Sequence, residues 1–336
     1  GISFYTFHTI SYIVDSFRRT ITPTKNLFEF SCYVSLFSQL VAGPIVRFGQ
    51  IENDLEHIDH KHRRSTLNIG WSFFALGLIK KVIIADTIAM IIDPAFKNYH
   101  QLSTLSTWLC MFGYTYQLYF DFSGYSDMAV GLGHMFGIHI PQNFNSPYKA
   151  TDIADFWGRW HISLSTCLRD YVYIPLGIRG SRSKLYRNVF ITMLIGGLWH
   201  GANWTFVLWG AYHGALLVLY RVFQKQWDPL PKALRRGATF FLVVIGWVLF
   251  RSDNLAMAGT MLRTMFSGLA GHSFTAAYSL FVLLLIAGGL AHVGPNTFEL
   301  RHKWNSISAV TISALFVVCI VAIYGGQQSP FLYFQF

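Results

Sequence analysis

Apolar residues fall in blocks long enough to cross hydrocarbon, separated by short polar connectors, along the whole chain. The blocks lie at 2–17, 27–46, 67–93, 104–121, 122–140, 152–176, 189–221, 237–250, 275–293 and 307–325. A spanning helix needs about 20 mostly apolar residues, because lipid offers no partner to backbone N–H and C=O groups. The short alternating segments of a membrane barrel are absent. The pattern predicts an all-α, polytopic membrane protein with about nine or ten spanning or re-entrant helices. No internal repeat or flexible linker divides it, so residues 1–336 are expected to form one domain.

Two blocks carry internal breaks, and two others are barely separated. Lys80-Lys81 and Asp86 interrupt 67–93, and Asp121 separates 104–121 from 122–140. Gly201-Ala202-Asn203 splits 189–221 into two arms, each expected to be too short for a comfortable crossing. The turn beside His200 should then lie at or beyond mid-depth, in protein rather than lipid. The chain opens at Gly1 inside an apolar stretch, without Met or a signal-peptide pattern, which predicts a piece of a longer protein lacking its N-terminal helices.

Composition sharpens the class. Hydrophobic residues make up 53% and charged residues 12%, where a soluble domain carries about 25% charged. The net charge of +10 suggests a nucleic-acid surface only until its distribution is read. Basic residues gather in connectors: Arg18-Arg19, Lys61 with Arg63-Arg64, 179–187, 232–236 and 301–303. Such connectors mark cytoplasmic loops, and no nucleic-acid partner is expected. Loops 179–187 and 225–236 should both be cytoplasmic, so 189–221 must enter and return, and the C-terminal tail should lie outside. The four cysteines stand singly, with no CxxC spacing.

Two segments could carry chemistry. Residues 152–176 read DIADFWGRWHISLSTCLRDYVYIPL, with Asp155, Arg159, His161, Ser165 and Asp170 on what reads as one helix. Charges there must face protein or a wet cavity. Asp155 and Arg159 can pair at i, i+4. His161 fits either a hydrogen-bonded core residue or a catalyst. The second segment is Gly196-Gly197-Leu198-Trp199-His200-Gly201-Ala202-Asn203-Trp204, whose glycines allow close approach to an intramembrane histidine. A neutral imidazole can take a hydroxyl proton, while Trp199 or Asn203 N–H groups polarise a thioester carbonyl. No G-x-S-x-G elbow is present. His200 is therefore the expected general base, assisted or oriented by His161. His57, His60 and His62 sit among basic residues and read as a solvated loop, with no metal expected. Gly131, Gly133 and Gly137 read as helix packing, and His213 reads as a packing or gating residue.

LVAGPIVRF (40–48), YFDFSGYSDMAVGLGHMFGI (119–138), NFNSPYKATDIADFWGRWHISLSTCLRDYVYIPLG (143–177) and GLWHGANWTFVLWGAYHG (197–214) resemble the bacterial membrane-bound O-acyltransferases, in their alginate O-acetylase branch. That resemblance implies helices around a central funnel or tunnel, with His200 catalytic and His161 the second family histidine. It implies an acetyl-CoA-like thioester as cosubstrate with no bound cofactor, a bacterial inner-membrane location among lipids, and a periplasmic acetyltransferase partner. The product would be an O-acetylated exported polysaccharide such as alginate. The family's short aromatic ending matches Phe331-Leu-Tyr333-Phe-Gln-Phe336, so Tyr333 is either a transient acyl relay or an interfacial aromatic anchor. Rival readings are D-alanyl transfer to a cell-wall polymer and a non-catalytic transporter or scaffold.

Overall fold

A computed structural model describes residues 2–37, 43–57, 60–177, 179–268, 277–302 and 304–326, with side chains for all of these except 2–5, 60–65 and 277. Every extended regular element among them is helical. In chain order they are α1 (Ile2–Phe17), α2 (Leu27–Val34), α3 (Phe48–Glu56), α4 (His60–Ile79), a π-helical segment (Lys80–Asp86) and α5 (Thr87–Lys97). Then come α6 (Thr104–Phe136), α7 (Ile153–Arg159), α8 (Ile162–Leu168), a second π-helical segment (Arg169–Tyr173), α9 (Arg182–His200) and α10 (Trp204–Trp227). The last four are α11 (Lys232–Arg251), α12 (Leu255–Phe266), α13 (Ala277–His292) and α14 (Ser306–Tyr324). Of these, α10, α11 and α14 are long and apolar enough to cross a membrane, and α13 is a shorter apolar helix.

Several boundaries differ from the hydrophobic pattern. Asp121 does not divide two segments: α6 runs unbroken for 33 residues, because protein covers the carboxylate. Lys81 Nζ lies 2.6 Å from both Asp121 and Asp86, and Lys80 Nζ lies 2.5 Å from Asp127. Thr297 closes that second group, donating to Asp127 and accepting from Lys80. The π-helical turn places both lysines opposite α6, where partners repay their desolvation. The described part of the block 27–46 contains the short α2, and the arms of 189–221 grow into α9 and α10 by taking in flanking polar residues. Those arms are therefore full-length helices. Residues 252–274, left without a helix in the sequence pattern, contain the amphipathic α12, capped by Asn254.

Glycines set the closest helix contacts. A Cβ on Gly77 would stand 2.5 Å from the Gly124 carbonyl oxygen, and one on Gly131 would stand 2.6 Å from that of Gly70. Thus α4 and α6 touch backbone to backbone at two levels. Gly131 is the packing residue expected; Gly133 and Gly137 instead serve the end of α6, where Gly137 has φ +79°. The same device joins α9 to α10, with Gly197 against the Phe206 carbonyl and Gly210 against that of Met193. The main core runs from α5 and α6 through Trp157, Trp160 and Trp209 to Trp247 and α12. It packs against the apolar side chains of the segment 144–168.

Removing one partner of the buried Lys81 group should be costly. Lys81→Met is expected to destabilise by about 3–5 kcal/mol, because Asp121 and Asp86 are left facing each other in the interior. Adding Asp121→Leu should recover part of that loss. Thermal unfolding in detergent measures both, and a Lys81→Met variant as stable as wild type would refute the assignment.

Candidate active site

The segment 152–176 is two short helices and a π-helical turn, with a break at Trp160-His161. His161 adopts left-handed backbone angles (φ 44°, ψ 54°), an unfavourable conformation for a residue with a Cβ. Asn143 holds it there. Its carbonyl accepts from Ile162 N at 2.9 Å, and its Oδ1 accepts from Ser163 N at 3.1 Å and Ser163 Oγ at 2.9 Å. The backbone donor fixes which amide atom is oxygen, so His161 Nδ1, 3.3 Å from the same Oδ1, carries the proton. Nε2 is left as the acceptor, and it is buried without a hydrogen-bond partner. Phe122 stands perpendicular to the imidazole at 4.7 Å, and Trp199 lies 6.2 Å away.

His200 is the last residue of α9, half-buried in an aromatic box. Ring centroids lie 4.9 Å away for Trp199, 5.2 Å for Trp209 and 5.0 Å for Phe250. Trp199 thus stands between the two histidines, which are close enough to interact electrostatically. The indole N–H groups of Trp157 and Trp209 are buried with no acceptor. An unpaired buried donor costs about 1–3 kcal/mol; two of them here can serve an incoming carbonyl oxygen.

A cleft of about 220 Å³ approaches this box between α8, α9 and α10. Arg169, Tyr173 and Arg221 stand at one end, and Leu168, Met193 and Trp157 line the apolar remainder. Trp157 contacts Trp209 at 5.6 Å, and Trp209 faces His200, so two indoles separate cleft from histidine. The 19-residue α9 sets His200 about 27 Å from the basic connector at its start. The histidine therefore sits at the far end of the hairpin from that connector, and the cleft covers part of the distance.

The remaining predicted residues divide by role. Asp155 and Arg159 pair at 2.6 Å, and they anchor the loop through Thr151 N and the Asn145 carbonyl. Ser165 lines the cleft, with its hydroxyl on the Trp160 carbonyl. Asp170 binds Arg169 at 2.6 Å and Arg47 at 2.8 Å. Beside it, Tyr171 donates to Asp15, tying α1 to the second π-helical segment. Asn203 is engaged by the fold: its Oδ1 caps α10 at Thr205 N, and one N–H of its Nδ2 donates to the Asp253 carbonyl. His213 is fully buried among Trp157, Trp209 and Trp247, as packing predicts. The expectation for Tyr333 falls outside the described residues, as do the side chains of His60 and His62. Among the described residues, no three His, Cys, Asp or Glu side chains gather as metal ligands. Sequence reasoning missed Asn143 and Arg47. Each lies inside a quoted motif, yet nothing in local spacing says that a distant helix needs it.

The sequence profile of the membrane-bound O-acyltransferase family matches residues 16–259. A probable alginate O-acetylase of Pseudomonas aeruginosa is 49% identical over 269 residues, covering 80% of this chain and 51% of that protein. Another, of Azotobacter vinelandii, is 40% identical over 380 residues, covering the whole chain and 75% of the relative. A peptidoglycan O-acetyltransferase of Helicobacter pylori is 34% identical over 394 residues, again with the whole chain and 74% of the relative. The chain spans about half the length of the Pseudomonas aeruginosa protein it matches. With the profile matched over most of its length and whole-chain relatives such as the Azotobacter vinelandii protein, this chain is a member of the membrane-bound O-acyltransferase family.

Proposed function

We propose that the full protein is a membrane-embedded O-acetyltransferase that passes an acetyl group from a cytoplasmic thioester toward an exported polysaccharide such as alginate. The carrying observation is the placement of His200 in an aromatic box, near the unpaired indole N–H groups of Trp157 and Trp209 and behind a cleft with arginines at its other end. In this reading more segments than the three clear spans are embedded, around a tunnel continuous with the cleft. The donor's anionic part lies near Arg169 and Arg221, and its acyl end reaches Trp157 and Trp209.

The reaction then follows from ordinary acyl-transfer chemistry. His200 takes the proton of an acceptor hydroxyl as its oxygen attacks the thioester carbonyl carbon. The indole N–H groups of Trp157 and Trp209 hold the developing oxyanion. The C–S bond breaks, and the departing sulfur receives the proton from the imidazolium. His161, whose protonated Nδ1 is held on Asn143, presents Nε2 as a fixed acceptor for a second N–H or O–H of the bound substrates, and so orients them. Tyr333 would be the acceptor in a relay, handing the acetyl group to a periplasmic acetyltransferase. Relatives named as O-acetylases or O-acetyltransferases match more of this chain, at higher identity, than those named teichoic acid D-alanyltransferases, which favours acetyl over D-alanyl as the group. A bacterial inner membrane is the location that agrees with the basic connectors.

His200→Ala in the full-length protein should lower acetylation of exported polysaccharide by about 10²–10⁴-fold, the usual effect of losing a general base. Normal O-acetyl content in a well-expressed His200→Ala strain would reject the enzymatic reading. Tyr333→Phe tests the relay alone: loss of polymer acetylation together with donor turnover is expected while thioester binding is kept, and unchanged polymer acetylation would remove the relay. Leu217→Trp, placed to fill the cleft, should raise the KM for the thioester at least tenfold. Unaltered donor kinetics in that variant would separate the cleft from the reaction.

A further inference from the structure

A second cleft, of about 390 Å³, lies on the other side of α10, between it and α11. Leu217 and Arg221 face the first cleft, whereas Leu216, Leu219 and Phe223 face the second, with Leu242 and Thr239 from α11. Its walls are almost wholly apolar. Leu219 and Phe223 are 49% and 53% exposed, so the cleft opens sideways rather than into the protein. At Phe223 the helix leaves helical angles (φ −101°, ψ 15°), which spreads α10 from its own axis at this level.

Two further observations identify the occupant. Thr239 is only 2% exposed, yet its hydroxyl has no hydrogen-bond partner. A helical threonine ordinarily back-bonds to the carbonyl four residues earlier; this hydroxyl is left available to a ligand. The connector at the mouth is basic, with Arg221, Lys225, Lys232, Arg235 and Arg236 against Asp228 within residues 221–236. Arg235 lies 3.9 Å from Asp228, and Arg236 donates to the Lys149 carbonyl. Lys225 and Lys232 are exposed and meet no acidic side chain among the described residues. Thr239 lies seven residues into α11 from Lys232, about 10 Å along the axis. That separation matches a headgroup phosphate above and a glycerol ester below.

We propose that this cleft binds one acyl chain of an anionic phospholipid, with its phosphate among Lys225, Lys232 and Arg235 and an ester carbonyl accepting from Thr239. Charge complementarity selects the anionic lipid, since basic groups beside a membrane attract acidic headgroups by about 1 kcal/mol each. The chain would rest on Ile153, the first residue of α7, next to where Trp227 donates to the Thr151 carbonyl at 2.9 Å. The bound lipid thus braces the start of the segment that ends at His161.

The test uses the full-length protein in nanodiscs of mixed phosphatidylcholine and phosphatidylglycerol, followed by native mass spectrometry. Wild type should retain phosphatidylglycerol in at least threefold preference over phosphatidylcholine. Leu219→Trp, which fills the cleft, should retain one lipid fewer, and Leu242→Trp serves if the first variant folds poorly. Lys225→Gln with Lys232→Gln should abolish the preference, and Thr239→Val should weaken retention. Phosphatidylglycerol should also raise the Tm of wild type more than that of the filled variant. Equal retention of the two lipids by wild type, or unchanged retention in both filled variants, overturns the proposal.

Discussion

The site depends on one side-chain amide in a place where water cannot substitute for it. Asn143 Oδ1 gathers Ser163 N, Ser163 Oγ and His161 Nδ1, while its carbonyl takes Ile162 N. A break in a helix exposes backbone donors, and in a membrane interior each unmet donor is expensive. Asn143 meets those at the break between α7 and α8, and in doing so permits the left-handed angles of His161. The amide therefore fixes the position of the imidazole, its tautomer and the identity of its free nitrogen together. Ser126 on α6 completes the arrangement by accepting from Asn143 Nδ2 at 3.3 Å.

That dependence explains why α6 must be so closely held. Its position is set on one side by backbone contact with α4 through Gly70, Gly77, Gly124 and Gly131, and by the lysine–aspartate groups between them. A shift of α6 would carry Ser126 away from Asn143. On the other side of the site, α9 is set against α10 by Gly197 and Gly210, which fixes where the helix carrying His200 ends. Both histidines are thus referenced to glycine-packed helix pairs, which tolerate little sliding. Ion pairs within the interior need not add net stability; here they pin the register of α6 against the π-helical turn.

The helical class, the membrane setting and the two histidines were legible because they rest on local signals: apolar block length, charge-poor composition and unusual polar residues within apolar surroundings. The i, i+4 pair of Asp155 and Arg159 was legible for the same reason. Helix boundaries were less so. Asp121 reads as a breaker until Lys81, far away in sequence, supplies its counter-charge. The helix break at His161 is invisible in DIADFWGRWHISL, because its cause is Asn143 on the preceding loop. Asn203 reads as a free amide beside the histidine, whereas its oxygen is held by the α10 cap and one N–H by the Asp253 carbonyl. In each case the deciding partner lies on another element, and a polar residue's pattern does not record which partner it has found.

The two clefts give α10 a role that neither histidine segment has alone. One face of the helix lines the approach toward Trp157 and Trp209, and the other lines the lateral cleft over Ile153. Both faces end near the same basic connector, and α7 touches both clefts, through Trp157 on one and Ile153 on the other. A rotation of α10 that widened one cleft would narrow the other. Close packing at Gly210 and Gly214 limits such rotation in the half nearer His200. The non-helical angles at Phe223 lie in the other half, beyond the last of these contacts. Freedom is therefore concentrated where donor and lipid would enter, and withheld where the imidazole must keep its place.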